Sequence, residues 1–244
     1  MKKCVCFLLG FVTLNLLWLA AALLLGTRAL PGPFTVYAHF GEVFSSGIIS
    51  HIGASLLRIA TALLLAFACG VPIGLLMASS AHWGRLLHPL VYFSYPIPKT
   101  ALLPVAMLLL GLGDGSKVLI LSLTVLFQVI VAARDAAAGI DPGFYQVAIS
   151  AGAPKSALLW QITLPAILPE LFTSLRIGMG TSLAVLLLVE AYGTRAGVGY
   201  YILDAWSRID YTEMYGGIIV ISLTGAALFL AADLLFAKLC RWKS

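Results

Sequence analysis

The sequence predicts an all-α integral membrane protein of about six transmembrane helices, and three observations carry that prediction. The 244 residues are 61% hydrophobic and only 10% charged, with a mean hydropathy of +1.02. That is far more apolar surface than one water-soluble core hides. The apolar residues fall in blocks of about 20, the length at which a helix crosses roughly 30 Å of hydrocarbon. Lys and Arg gather at alternate ends of these blocks, as in a chain that threads a bilayer repeatedly.

The first block, 5–26, follows Lys2 and Lys3 and so resembles a secretory signal, but its apolar run is as long as a full span. An uncleaved helix is expected. The second, 48–79, exceeds the length a bilayer needs, so it tilts or extends beyond the membrane. The third, 86–112, contains "YPIPKTALLP"; Pro96, Pro98 and Pro104 require part of it to be kinked or unwound. The fourth is 117–138, the fifth 165–192 and the sixth 216–239. No repeat, linker or low-complexity tract divides the chain, which reads as a single domain over 1–244.

Between the fourth and fifth spans, "DPGFYQVAISAGAPKSALL" is too polar and too interrupted to cross lipid. Its "FYQVAISA" is helix-compatible and bounded by Pro142 and Gly152, which predicts a short helix at the membrane surface. Gly152 permits a turn with positive φ, and Pro154 suits the start of a further helical segment. Read from the residues alone, the stretch is either a stiff protrusion of two short helices or an ordinary loop with one interfacial helix.

Orientation follows from the cations. With both termini in the cytoplasm, the inner side holds Lys2, Lys3, Arg85, Arg134, Lys155, Lys238, Arg241 and Lys243. The outer loops then hold only Arg28, Lys117, Arg195 and Arg208. The net charge of +5 reflects this orientation and gives no reason to invoke nucleic acid. Cys4, Cys6, Cys69 and Cys240 lie within spans or on the inner side and read as small apolar filler.

Arg58, Lys99, Glu170 and Arg176 fall inside the expected spans, where each must face protein, water or headgroups. They either line an electropositive path or are satisfied by neighbouring groups. Ser174, Gly178, Thr181 and Ser182 recur at helical spacing along the fifth span, a face suited to a translocation route, with Arg58 a further candidate, or to close helix packing. Gly70 and Gly74 around Pro72 read as packing and kink residues.

Enzyme chemistry finds little support. Ser55 in "GASL" lacks the Gly-x-Ser-Gly setting of a rhomboid-type protease, and His39, His51, His82 and His88 form no His-Glu-x-x-His metal pair. "GVGYY" and "GLGDG" lack the Lys-Ser/Thr of a phosphate-binding loop. No catalytic residue, metal site or cofactor is expected on this chain.

Four stretches in fixed order resemble the permease subunits of ABC importers. "YQVAISAGAPKSALLWQITLPAILP" is similar to their cytoplasmic loop, whose pattern is Glu-Ala-Ala, three residues, Gly, and about eleven residues to Leu-Pro. Here Gln146, Val147 and Ala148 stand at the first three positions, Gly152 followed by Ala153 at the glycine, and Leu164 and Pro165 at the end. Gln146 replaces the usual acid and Val147 an alanine. "ASLLRIATALLLAFACGVPIGLLM", "YPIPKTALLPVAMLLLGLGDGSK" and "VEAYGTRAGVGYYILDA" resemble the branch that imports nitrate, sulfonates and taurine. The likeness spans about 48–239.

The resemblance implies an inner-membrane importer subunit that forms the path for a small solute, most simply an organic or inorganic anion. It implies two cytoplasmic ATPase subunits that bind ATP and Mg, an external solute-binding protein, and a second permease copy as a homodimer partner. It also implies that Tyr145 and Val147 anchor a coupling helix in the ATPase, with Gln146 as a hydrogen-bonding contact and Ala148, Gly152, Ala153, Leu164 and Pro165 completing the coupling segment. A vitamin precursor as substrate, or an ATP-independent secondary transporter, is the alternative.

Overall fold

The computed structural model describes residues 2–243, with side chains from Leu9 to Trp242. Expectations that rest on the side chains of Lys2, Lys3, Cys4, Cys6 and Lys243 lie outside the described residues. The helices in chain order are α1 (Lys2–Leu25), α2 (Pro33–Ala38), α3 (Phe40–Ser45), α4 (Ile48–Ser79), α5 (Ala81–Ser94), α6 (Leu103–Leu110), α7 (Asp114–Ala138) and α8 (Pro142–Ser150). They continue with α9 (Lys155–Ala157), α10 (Leu164–Glu190), α11 (Val198–Ser207) and α12 (Tyr211–Leu239). A 3-10 turn, Lys99–Leu102, precedes α6, and a π-helical turn, Leu158–Thr163, joins α9 to α10. Among the described residues there is no strand, so the all-α class is met.

Four helices are long and apolar enough to cross a membrane: α4, α7, the continuous run Lys155–Glu190, and α12. α5 and Lys99–Leu110 are long and apolar enough only when taken together, and they meet at 83°, the geometry of a broken span or a re-entrant loop. In α1 the described apolar stretch, Leu9–Leu25, is shorter than these. Against the expected six, the structure therefore has four unbroken spans, or five with the bent pair counted as one, and the described part of α1 falls short of the same length.

The break in the third span falls where Pro96 and Pro98 remove backbone donors. Lys99 compensates, its ammonium donating to the carbonyls of Ser94 and, at 2.9 Å, Tyr95. The same ammonium lies 4.8 Å from the centroid of the Phe127 ring. A cation that looked expensive in the sequence thus satisfies carbonyls that the prolines leave open.

The fifth span starts about ten residues earlier than the prolines suggested, because none of them interrupts it. Pro154 is the N-cap of α9, and Pro165 lies in the first turn of α10, directly after the π-helical turn. That wider turn leaves a carbonyl without its usual partner, and Thr163 Oγ1 donates to Leu158 O at 3.1 Å.

The chain forms two compact units, one running as far as Ser55 and adding Arg195–Thr224, the other comprising Leu56–Thr194 and the chain from Gly225. In the first, Val43, Ile48, Tyr201 and Val220 make a buried cluster. A Cβ on Gly216 would stand 2.6 Å from Val43, so only glycine admits this approach. Tyr37 donates to Asn15 Oδ1 at 2.6 Å, and Trp18 stacks on Tyr215 at 5.6 Å between centroids. The first amides of α11 are satisfied by side chains of α4: Gly197 N donates to His51 Nδ1 at 3.1 Å and Val198 N to Ser55 Oγ at 2.8 Å. Burial pushes the Tyr201 phenol up to about 12, so its hydroxyl stays protonated, and it shares a hydrogen bond with Ser46 Oγ at 2.8 Å.

The second unit is organised around α7, whose Leu121, Val125, Val129 and Ala133 form an i, i+4 stripe with no exposed surface. Gly70 and Gly74 let α4 approach this stripe closely; a Cβ on Gly74 would lie 2.6 Å from Ile130 O. On the other side Gln128 Nε2 donates to Ser174 O at 3.1 Å, fixing α7 against α10. Phe172 meets Phe236 edge to face at 5.7 Å, and Arg176 pairs with Asp233.

Candidate functional site

The loop between α7 and α10 is built by local rules from end to end. Asp141 caps α8, its Oδ1 accepting from Gly143 N at 2.8 Å, and Pro142 occupies the first turn, where no donor is needed. The helix ends in a Schellman motif: Ala153 N donates to Ala148 O at 3.0 Å and Gly152 N to Ile149 O at 2.9 Å. Gly152 has φ +79°, the left-handed conformation that this closure requires. Pro154 then caps α9. The segment is a defined helix–turn–helix, but its second helix is the start of the continuous run Lys155–Glu190, so one short helix, α8, stands between the fourth and fifth spans where two were one of the readings.

The orientation of α8 corrects one assignment. Tyr145 does not face outward; it is half-buried and its hydroxyl donates to Thr163 Oγ1 at 2.9 Å, tying α8 to the π-helical turn below α10. Its amphiphilic ring turns inward because Thr163, already donating to Leu158 O, offers a free lone pair. The outward apolar stripe is instead Phe144, Val147 and Ala151, at i, i+3 and i+7, with Phe144 65% and Val147 73% exposed. Gln146 is exposed beside it, and Ala148 is half-buried, lining a shallow hollow together with Phe144, Val147 and Ala151. Sequence reasoning missed Phe144, although its spacing from Val147 and Ala151 was readable. Gly152 is exposed, while Ala153, Leu164 and Pro165 are half-buried on the path from α8 to α10.

At the other end of α7, about 37 Å away along the helix, lies a charged cluster. Arg58 donates through Nε to Asp114 Oδ1 at 2.8 Å, through one terminal nitrogen to Glu190 Oε1 at 2.5 Å, and through the other to Thr194 Oγ1 at 3.2 Å. Lys117 donates to the carbonyls of Leu112, Gly113 and Gly193 at 2.7, 3.1 and 3.2 Å. Arg58, Lys117 and Glu190 are buried, with only Asp114 open to solvent. Two cations and two carboxylates balance, and the guanidinium is used on three sides. The Arg58 charge therefore joins the starts of α4 and α7 to the end of α10 and is not displayed to a passing solute.

The small face of α10 is also placed differently from a water-lined route. Ser174, Gly178 and Ser182 are buried, and a Cβ on Gly178 would stand 2.8 Å from Val125 of α7. Close packing accounts for Gly178, while the buried hydroxyls of Ser174 and Ser182 have no hydrogen-bond partner among the described residues. Thr181 lies apart, half-buried, its hydroxyl donating to Ile177 O and Gly178 O of its own helix.

With this geometry in place, likeness to known proteins is informative. Residues 70–243 match the family model described as "binding-protein-dependent transport system inner membrane component". The chain is 29% identical over 238 residues to the taurine transport system permease protein TauC of Escherichia coli (strain K12), covering 95% of this chain and 86% of that one. It is 27% identical to the formylaminopyrimidine transport permease protein ThiX of Halalkalibacterium halodurans, covering 96% and 94%. The nitrate import permease protein NrtB of Synechocystis is 28% identical, covering 75% and 66%. Among solved structures, an inward-facing MetNI methionine ABC transporter chain superposes with a TM-score of 0.69 at 19% identity, covering 79% of this chain and 95% of that one. A chain of a bacterial alginate ABC transporter in complex with an alginate-bound periplasmic protein gives 0.68 at 20%, covering 98% and 95%. At these identities the structures establish a shared fold.

Proposed function

Because the chain belongs to the family of binding-protein-dependent transport system inner membrane components, we propose that two copies of it form the path of an ATP-driven importer for a small anion of the sulfonate, taurine or nitrate kind. Both termini and α8 face the cytoplasm, where two ATPase subunits hold ATP and Mg and dock on α8. An external binding protein delivers the solute to the opposite side. The substrate class is supported by the transport named for the taurine and nitrate relatives. A second substrate reading, a vitamin precursor, is supported by the formylaminopyrimidine relative, which matches over nearly the whole chain.

The observation that carries the mechanism is the division of α8 into two faces. Phe144, Val147 and Ala151 present the i, i+3, i+7 anchors with which a helix enters an apolar groove. Tyr145, on the inner face, fastens the same helix to the base of α10. Movement of an ATPase groove thus pulls on Thr163 and, through the Schellman turn and α9, on the whole Lys155–Glu190 helix. The charged cluster around Arg58 pins the far end of that helix to α4 and α7, so α10 acts as a lever fixed at one end.

Copurification tests this directly. Phe144→Ala and Val147→Ala chains should each lose ATPase subunits on mild solubilisation, with affinity reduced by about 2 kcal/mol or more per anchor. Tyr145→Phe should keep the ATPase bound but lower transport per ATP consumed. Full retention of the ATPase by the Phe144→Ala, Val147→Ala double variant contradicts the docking assignment.

A further inference from the structure

We propose that a crevice beside α8 binds one anionic phospholipid of the surrounding bilayer, with its phosphate at Lys155 and an acyl chain between α4 and the π-helical turn. The crevice has a volume of about 720 Å³. Its walls are apolar: Val71, Leu75 and Leu76 from α4 face Leu158, Leu159 and Trp160 from the turn. Tyr145 and Thr163 also line it, but their hydroxyls are spent on each other and on Leu158 O. Lys155 is the sole charged residue of the lining, and it makes no ion pair among the described residues.

Three features select a phospholipid. The crevice opens where α4 ends at Ser79 and where the long helix begins at Lys155, so its mouth lies at the level of headgroups and its floor at the level of acyl chains. Trp160, 69% exposed, and Lys155 are the residue types that anchor at a membrane interface. A lone cation over an apolar slot between spanning helices is complementary to an anionic headgroup carrying a hydrocarbon chain. The π-helical turn widens the helix at the place where the slot forms.

The site touches the link it would regulate. A chain seated against Tyr145 and Thr163 packs on both partners of the hydroxyl contact that fastens α8 to α10, so occupancy stiffens that connection. Transport should then rise with the anionic lipid content of the membrane. The inference rests on insertion of α4 and α10 in a bilayer and is independent of which solute is carried.

The test uses the purified complex in mild detergent, with phosphatidylglycerol or phosphatidylcholine added and retained lipid counted by native mass spectrometry. Wild type should prefer phosphatidylglycerol, Lys155→Gln should lose that preference about fivefold, and Lys155→Arg should keep it. Leu75→Trp, which fills the slot, should lower retention of both lipids. A photo-crosslinking amino acid at Leu159 should capture phosphatidylglycerol in proteoliposomes. Equal retention of the two lipids by wild type, an unchanged preference in Lys155→Gln, or capture of an ATPase subunit at Leu159 would overturn the proposal. Loss of ATPase docking with lipid preference intact would instead sink the coupling reading and leave this one standing.

Discussion

Substituting Gly152 by Val isolates the contribution of backbone geometry to coupling. The residue sits at φ +79°, and a Cβ there meets nothing within 4 Å, so the substitution creates no clash with a neighbour. What remains is the cost of holding an L-residue in the left-handed region, about 1–2 kcal/mol and greatest for a β-branched side chain. That cost falls on the Schellman closure, whose two hydrogen bonds fix the angle between α8 and α9. Relief comes by opening the turn, which lowers the population of the docking geometry by roughly 5- to 30-fold. Because Gly152 is exposed, global stability should change far less than coupling. The assay is solute uptake and ATP consumption in proteoliposomes containing the whole importer. Gly152→Asn, which tolerates positive φ, should stay near wild type, Gly152→Ala should fall between, and Gly152→Val should be nearly uncoupled. Wild-type transport by Gly152→Val, or equal loss in Gly152→Asn, would refute the reasoning.

Further predictions concern stability and topology. Glu190→Gln or Arg58→Ala breaks a buried pair and should cost about 3–5 kcal/mol, whereas Asp114→Asn, at a side chain 65% exposed, should cost below about 1 kcal/mol; thermal unfolding in detergent ranks them. Gly74→Ala places a Cβ 2.6 Å from a carbonyl of α7 and should lower the melting temperature by the equivalent of about 1–3 kcal/mol. Gly10→Ala, with nothing within 4 Å, should not. Cysteines placed at Lys155 and Arg195 should be labelled from the cytoplasmic and the external side respectively; labelling of both from one side contradicts the orientation.

What the sequence made readable and what it hid follow a physical line. The bounds of α4, 48–79, coincide with the expected block because a continuous apolar run has only one way to bury itself in lipid. The break in the third span was readable because prolines act locally, and the same holds for α8, closed by Pro142 at one end and Gly152 at the other. The early start of the fifth span was not readable: Pro165 and Pro169 look like breakers, yet the helix that begins after the N-cap Pro154 runs on through the π-helical turn and past both of them. The small helix α11 escaped notice because its first amides are capped by His51 and Ser55, more than 140 residues away in sequence. Arg58 and Glu190 are similarly remote, at a separation of 132. Spacing reveals faces of single helices; it cannot reveal which faces meet. Tyr145 shows the same limit in miniature, since its inward turn depends on Thr163 having a lone pair to spare.

On the function proposed above, this chain is a path driven from outside itself through α8. The most direct measurement is uptake of sulfonate, taurine and nitrate, with ATP consumption, by liposomes holding the purified chain alone or with its ATPase and binding protein. Neither hydrolysis nor accumulation is expected from the chain alone, and coupled accumulation is expected when all partners are present. Concentrative uptake by the chain alone under an ion gradient would contradict this proposal, and partner-dependent uptake of only a vitamin precursor would keep the mechanism while replacing the substrate.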